Sequence, residues 1–117
     1  MRKELTLTGL LVEKAEREEK YFKNYFQYAK VIKKEAQKLL DEVELFVFGS
    51  ILRKNEIPLD IDILIISPQL KETLKKSEIR TKIREKIGFG APFEIHLITP
   101  EEYRDWYRNF IKEKIKI

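Results

Sequence analysis

The stretch at residues 46–67, FVFGSILRKNEIPLDIDILIIS, constrains the fold most strongly. It contains two short apolar runs, and Gly49-Ser50 ends the first of them. Runs of aromatic and β-branched residues that are bounded by turn residues are typical of buried β-strands. The second run is apolar on both faces after its start. We therefore expect it to lie in the middle of a sheet, with both of its faces covered.

Three segments carry the periodicity of amphipathic helices. Apolar residues recur at three- and four-residue steps over residues 9–41, 70–87 and 100–113. The first segment is polar near its start, so a break within this long N-terminal helix is left open. Leu74 is expected on the buried side of the second helix. Trp106 is expected in the core as part of the last helix, for which a base-stacking surface is the alternative interpretation.

The remaining apolar runs predict strands at residues 44–48, 60–67 and 93–98. The tail KEKIKI either frays or pairs as a further short strand. This order of elements predicts an α/β (α+β) fold, with a small three- to four-stranded mixed sheet flanked by helices. We interpret residues 1–117 as a single domain. Its core at residues 44–98 carries the candidate site, between the N-terminal and C-terminal helices.

Composition limits the location and the partners. The formal net charge is +4, and the basic residues alternate with Glu along the chain. This pattern indicates solvated helix faces, whereas a nucleic-acid footprint would cluster the basic residues. The chain has no Cys, which excludes disulfides and thiolate metal sites. No apolar stretch is long enough to cross a membrane. We expect a cytoplasmic protein without membrane association and disfavour nucleic acid as a partner.

Asp60 and Asp62 open the second apolar run. In a strand both side chains point to the same face, with Cβ atoms about 7 Å apart. Two carboxylates so close to a buried strand repel each other and lose hydration, and a divalent cation removes this penalty. Carboxylates, water and phosphates are the ligands that Mg²⁺ prefers, and two ions can act on the attacking and leaving oxygens. The alternative is that either Asp caps a turn or pairs with Arg53 or Lys54.

Other residue types in this pattern suit the same chemistry. Glu94 lies near the start of the third strand, where it could ligate a second Mg²⁺ or accept a proton, unless it is only a solvated residue. Gly49 allows a ligand to approach the backbone closely, and Ser50 and Arg53 can donate to phosphate oxygens. His96 shares the face of Glu94 and is interpreted as a hydrogen-bonded structural residue.

An apolar strand, Gly-Ser, a short gap and Asp-x-Asp at the start of another apolar strand resemble the motif of the DNA polymerase β nucleotidyltransferase superfamily. The chain as a whole is similar in length to its minimal nucleotidyltransferases. The resemblance implies that Gly49 and Ser50 bind the triphosphate of an NTP such as ATP. It also implies that Asp60 and Asp62 hold Mg²⁺ and that Glu94 completes the metal site. The implied reaction transfers NMP to a hydroxyl acceptor and releases pyrophosphate.

Several minimal members of this family are antitoxins that add AMP to a tyrosine of a helical HEPN toxin. The resemblance therefore implies a protein adenylyltransferase with a HEPN-type helical toxin as its partner, and it leaves a homo-oligomer open. Three features depart from the family pattern: the loop at residues 51–58 lacks a frequent Gly, Leu59 replaces a frequent Ser, and Glu94 stands where Asp is common. A second hypothesis is accordingly a binding module with weak or lost catalysis that docks a helical partner protein. A nucleic-acid end-modifying enzyme is a third, against which the scattered basic residues argue.

Overall fold

The structure is a computed structural model that describes residues 6–117. Residues 1–5 of the predicted domain lie outside the described part. The helices and strands, in chain order, are α1 (Leu7–Lys23), α2 (Tyr25–Leu39), β1 (Glu44–Phe48), β2 (Ile61–Ile66), α3 (Thr73–Ile87), β3 (Phe93–Ile98), α4 (Pro100–Asp105) and β4 (Lys114–Lys116). Short 3₁₀ turns follow β1 at Ser50–Leu52 and α4 at Tyr107–Asn109. Within residues 6–117, none of the helices has the length and apolarity needed to span a bilayer.

The four strands form one mixed sheet in the order β3-β2-β1-β4. β1 is antiparallel to both β2 and β4, whereas β2 and β3 are parallel. The predicted α/β (α+β) class, with a small mixed sheet flanked by helices, is confirmed. Of the two alternatives for the tail, the short strand is the one observed, because β4 covers the edge of β1.

Alternation of side chains divides the sheet into two buried faces. On the first face, odd-numbered residues of the strands pack against α2 and α3; they include Leu45, Val47, Ile61, Ile63, Ile65, Ile95 and Leu97. On the second face, even-numbered residues pack against the C-terminal part of the chain; they include Phe46, Leu64, Ile66 and Ile98, with Ile111. β2 is therefore covered on both sides, as its apolar run predicted. Asp62, Glu94 and His96 have even numbers and belong to the second face.

Of the two alternatives for the helix at residues 9–41, the broken helix is the one observed, because the segment is divided into α1 and α2 at Asn24. The backbone N–H of Asn24 and its side-chain Nδ2 both donate to the carbonyl of Lys20, at 3.1 and 2.9 Å. This competition between side chain and backbone ends α1. α1 begins at Leu7 because the Thr6 hydroxyl accepts from the backbone N–H of Gly9 at 2.9 Å.

The prediction that Leu74 is buried is wrong, since its side chain is 84% exposed. α3 begins at Thr73, and its buried face is defined by Ile79, Ile83 and Ile87. Leu74 precedes Ile79 by five positions, which rotates it by about 140° away from that face. Leu70, the first residue of the predicted segment, is buried but precedes the helix.

The C-terminal helix predicted at residues 100–113 is also shorter than expected, because α4 ends at Asp105. Trp106 leaves the helical conformation with φ −134° and ψ −66°, and its side chain is 65% exposed. Its assignment to the core is therefore wrong. The chain has to reverse here in order to add β4 to the sheet, and an uninterrupted helix would carry the tail away from β1.

The start of α4 is closed by a capping box between Thr99 and Glu102. The Thr99 hydroxyl accepts from the backbone N–H of Glu102, and the Glu102 carboxylate accepts from that of Thr99, both at 3.2 Å. We expect Thr99→Ala to lower the free energy of unfolding by about 1 kcal/mol, because two backbone donors lose their arrangement. Urea denaturation measures the change. Thr81→Ala, at an exposed position within α3, is the matched control and should be neutral or slightly stabilising. Equal losses in the two variants would contradict the capping role.

Candidate functional site

The pairing of β2 with β3 places two of the predicted acidic residues side by side. Asp62 is in register with Glu94, and Leu64 is in register with His96. The His96 Nε2 atom lies 3.4 Å from Asp62 Oδ1 and 3.7 Å from Glu94 Oε1. One ligand atom from each of Asp62, Glu94 and His96 lies within 4.8 Å of the others. The parallel register thus builds a compact group of two carboxylates and an imidazole.

His96 is held in place by aromatic rings as well as by its polar contacts. The imidazole centroid lies 5.3 Å from that of Phe48 and 6.0 Å from that of Tyr107. Its hydrogen-bonding contact with Asp62 agrees with the structural interpretation made from the sequence. Its position beside Glu94 as well adds a nitrogen donor to the acidic group, a role that the spacing permitted but did not favour.

Asp60 lies apart from this group. It precedes β2 and is exposed, and within the described residues the compact group contains Asp62, Glu94 and His96 without it. Its charge acts electrostatically on Arg84, whose guanidinium donates to the backbone carbonyls of Ala91 and Phe93. Burial lowers the pKa of Arg84, whereas the charge of Asp60 raises it. That Asp60 is a metal ligand therefore stays a prediction.

Gly49 is required by its closeness to Asp62. β1 pairs with β2 so that Phe48 is in register with Asp62, and the chain turns at the next residue with φ +87°. A Cβ atom at Gly49 would lie 2.3 Å from Asp62 Oδ2, which is too short for two atoms that are not bonded to each other. The glycine expected from the sequence to admit a phosphate thus also leaves room for a carboxylate of the site.

A cavity of about 440 Å³ joins the Gly-Ser turn to Asp62. Its lining includes four of the predicted residues: Gly49, Ser50, Arg53 and Asp62. The Arg53 guanidinium is paired with the carboxylate of Glu56 at 3.2 Å, which holds it at the rim of the cavity. Arg53 thus lines the cavity while a carboxylate contacts it, and its contact with phosphate stays a prediction.

The same cavity is lined on another side by residues that the sequence analysis did not select: Phe48, Phe110, Ile111, Lys112 and Glu113. Apart from Phe48, they lie between α4 and β4, in the segment that was predicted as helix. One signal in the sequence could have pointed to these residues, namely the alternative in which the tail pairs as a strand. Such a strand would return the chain to the sheet and bring the preceding residues close to the site.

Comparison with known proteins identifies the family. A family model described as a nucleotidyltransferase domain matches residues 29–117. The chain belongs to this nucleotidyltransferase family. The match spans every residue of the candidate site, from the Gly-Ser turn to the segment that precedes β4.

Two solved structures are similar to this nucleotidyltransferase. One, named a "putative nucleotidyltransferase", is 30% identical with a TM-score of 0.65, and the match covers 75% of this chain and 95% of that one. Another, from Sulfolobus solfataricus and named in the same words, is 20% identical with a TM-score of 0.57, and the match covers 90% of this chain and 83% of that one. The second likeness shows the fold alone. No curated protein matches the chain.

Membership of the nucleotidyltransferase family implies an NTP substrate and a divalent metal ion, and the residues present fit such an ion. Asp62 and Glu94 supply anionic oxygens, and His96 adds a nitrogen at a distance that one coordination sphere can span. Because Gly49 has no side chain, the space beside the Asp62 carboxylate stays open, and both residues line the cavity. The site therefore combines a candidate metal cluster with a space next to it for a phosphorylated substrate.

Proposed function

We propose that this nucleotidyltransferase depends on Mg²⁺ and transfers AMP from ATP to a hydroxyl group of a partner protein. The observation that carries the proposal is the meeting of Asp62, Glu94 and the Gly49-Ser50 turn at one end of the sheet. Carboxylates beside a glycine-containing turn and an open cavity suit a nucleoside triphosphate with its metal.

Each predicted residue has a role in this proposal. Asp62, Glu94 and Asp60 would hold Mg²⁺, and for Asp60 this requires its carboxylate to approach the compact group that contains the other two. When bound, the metal neutralises charge on the triphosphate. Ser50 and Arg53 line the same cavity as Asp62. We therefore assign to them the contacts with phosphate oxygens.

The reaction balances as a displacement at phosphorus. The acceptor hydroxyl oxygen forms a bond to the α-phosphorus of ATP, and the bond from that phosphorus to the bridging oxygen of the pyrophosphate breaks. The hydroxyl proton passes to a carboxylate, for which Glu94 is the candidate, since its side chain is 60% exposed and lies in register with Asp62. The products are an AMP ester and pyrophosphate.

An exposed apolar surface supports a protein as the acceptor. No residue of α1 is buried, and Leu7, Leu11 and Val12 are each more than half exposed. A groove of about 460 Å³ runs between this helix and the loop of Ile57 and Leu59. Exposed apolar residues grouped in this way are typical of docking surfaces. We infer a helical partner, which in the antitoxin role would be a HEPN-type toxin.

The test combines the purified chain, ATP labelled at the α-phosphorus, Mg²⁺ and any all-helical protein encoded beside it. We expect the label to appear on the partner, pyrophosphate to be released in equal amount, and both to be lost on chelation with EDTA. If the wild-type chain binds the partner and ATP but transfers no label, the proposed transfer is contradicted.

One observation favours a second candidate, a binding module without catalysis. Within the described residues, Asp60 lies outside the compact group of Asp62, Glu94 and His96, so the metal site lacks one predicted ligand in this arrangement. A module would bind the partner equally well as wild type and as Asp62→Asn, with no label transferred by either. An enzyme would lose transfer in the variant and keep the partner.

A further inference from the structure

The pairing of β4 with β1 brings a late segment of the chain to the Gly-Ser turn. The two strands are antiparallel, and Phe48 is in register with Lys114. Residues just before Lys114 must therefore lie beside residues just after Phe48, which are Gly49 and Ser50. We call residues 110–113 the C-terminal wall, because all of them line the cavity that contains the turn.

Phe110 gives this wall an exposed aromatic face. Its side chain is 67% exposed, and its ring contacts that of Trp106 with centroids 5.9 Å apart. A ring exposed to this extent contributes little to the core, since the buried residue of the wall is Ile111. The flat face of an aromatic ring at the edge of a polar cavity suits stacking against a nucleobase.

Lys112 gives the same wall a positive charge. Within residues 6–117, no ion pair joins it to a carboxylate, whereas Arg53 across the cavity is paired with Glu56. Lys112 is thus a cation of the cavity that is available to an incoming anion. Glu113 also lines the cavity, and its negative charge disfavours phosphate beside it.

We propose that the C-terminal wall is the nucleotide-positioning element of this site: Phe110 stacks on the base and Lys112 contacts the triphosphate. The inference rests on the proposed function, because it takes ATP as the substrate. The cavity volume of about 440 Å³ lies within the range of small-molecule pockets. The wall thus gives the site a nucleoside contact from residues that precede β4.

The test measures binding of ATP and of inorganic tripolyphosphate to the full chain by calorimetry, each in the presence of Mg²⁺. We expect Phe110→Ala to weaken ATP binding about tenfold, the effect of one lost stacking contact, and to leave tripolyphosphate binding unchanged. Phe110→Leu, which keeps apolar bulk without an aromatic face, should weaken ATP binding in the same way. Lys112→Ala should weaken the binding of both ligands.

Two matched controls lie outside the cavity. Phe89 is 70% exposed, so Phe89→Ala removes an equally exposed ring and should bind both ligands as the wild type does. Lys34→Ala removes an exposed lysine from α2 and should likewise have no effect. Unfolding curves for all variants establish that the fold is retained.

The outcomes separate the wall from the proposed function. In one outcome the wild type and Phe110→Ala bind ATP equally well, whereas Asp62→Asn binds it more weakly. This result would refute the proposed role of the C-terminal wall and leave the proposed function intact. If the wild type binds neither ATP nor tripolyphosphate, both the proposed function and the proposed role of the C-terminal wall are refuted. Loss of ATP binding in Phe110→Ala with tripolyphosphate binding intact supports the wall.

Discussion

Asp62→Asn is expected to reduce label transfer to the acceptor by about a thousandfold, which corresponds to about 4 kcal/mol in the transition state. Asp62 is the residue at which the observed features meet. It contacts His96 at 3.4 Å, lies in register with Glu94, and lines the cavity beside Gly49. The amide keeps the size of the side chain but removes its negative charge. The measurement is the initial rate of transfer from labelled ATP, together with Mg²⁺ binding by calorimetry.

The matched control for this substitution is Asp105→Asn, at an exposed carboxylate near the end of α4 that lies outside the cavity lining. It should retain transfer and Mg²⁺ binding at the wild-type level. Unfolding of Asp62→Asn should remain cooperative, since no buried apolar group changes. Wild-type rates in Asp62→Asn would remove this carboxylate from the reaction and with it the proposed metal site.

Gly49→Ala is expected to reduce transfer by about a hundredfold and to lower the free energy of unfolding by about 1–3 kcal/mol. The new Cβ would lie 2.3 Å from Asp62 Oδ2, so either the turn or the carboxylate must move. The backbone φ of +87° adds strain, because residues with a Cβ rarely adopt it. Transfer kinetics and urea denaturation of the same preparation measure the two effects.

Substitutions of two other glycines separate the effect of backbone strain from the effect of displacing the Asp62 carboxylate. Gly90→Ala meets no atom within 4 Å and should leave both transfer and stability near the wild-type values. Gly88→Ala combines a φ of +105° with a Cβ 3.2 Å from the Tyr21 hydroxyl, so it should lose stability but keep transfer. If Gly49→Ala behaved like Gly88→Ala, the closeness of Gly49 to Asp62 would have no part in the activity.

The candidate site was predictable from sequence where it depends on short spacings. The alternation of a strand placed Glu94 and His96 on one face, and the Gly-Ser turn at the end of β1 was evident from the apolar run that precedes it. The position of Asp60 was not predictable in the same way. It lies just outside the strand, where alternation no longer determines the direction of a side chain, and the nearby guanidinium of Arg84 comes from α3.

The fold shows the same division between local and distant determinants. The sequence by itself determined the identity of the first three strands and the two-sided burial of β2, because each depends on residues within a few positions of one another, and the order of these elements indicated the mixed α/β class. Only the tertiary structure decided that α4 stops at Asp105 and that the tail returns as β4. That choice depends on the open edge of β1, whose backbone groups gain partners when β4 pairs with it. The same long-range pairing brings Phe110 and Lys112 to the Gly-Ser turn, and no spacing along the chain specifies this contact.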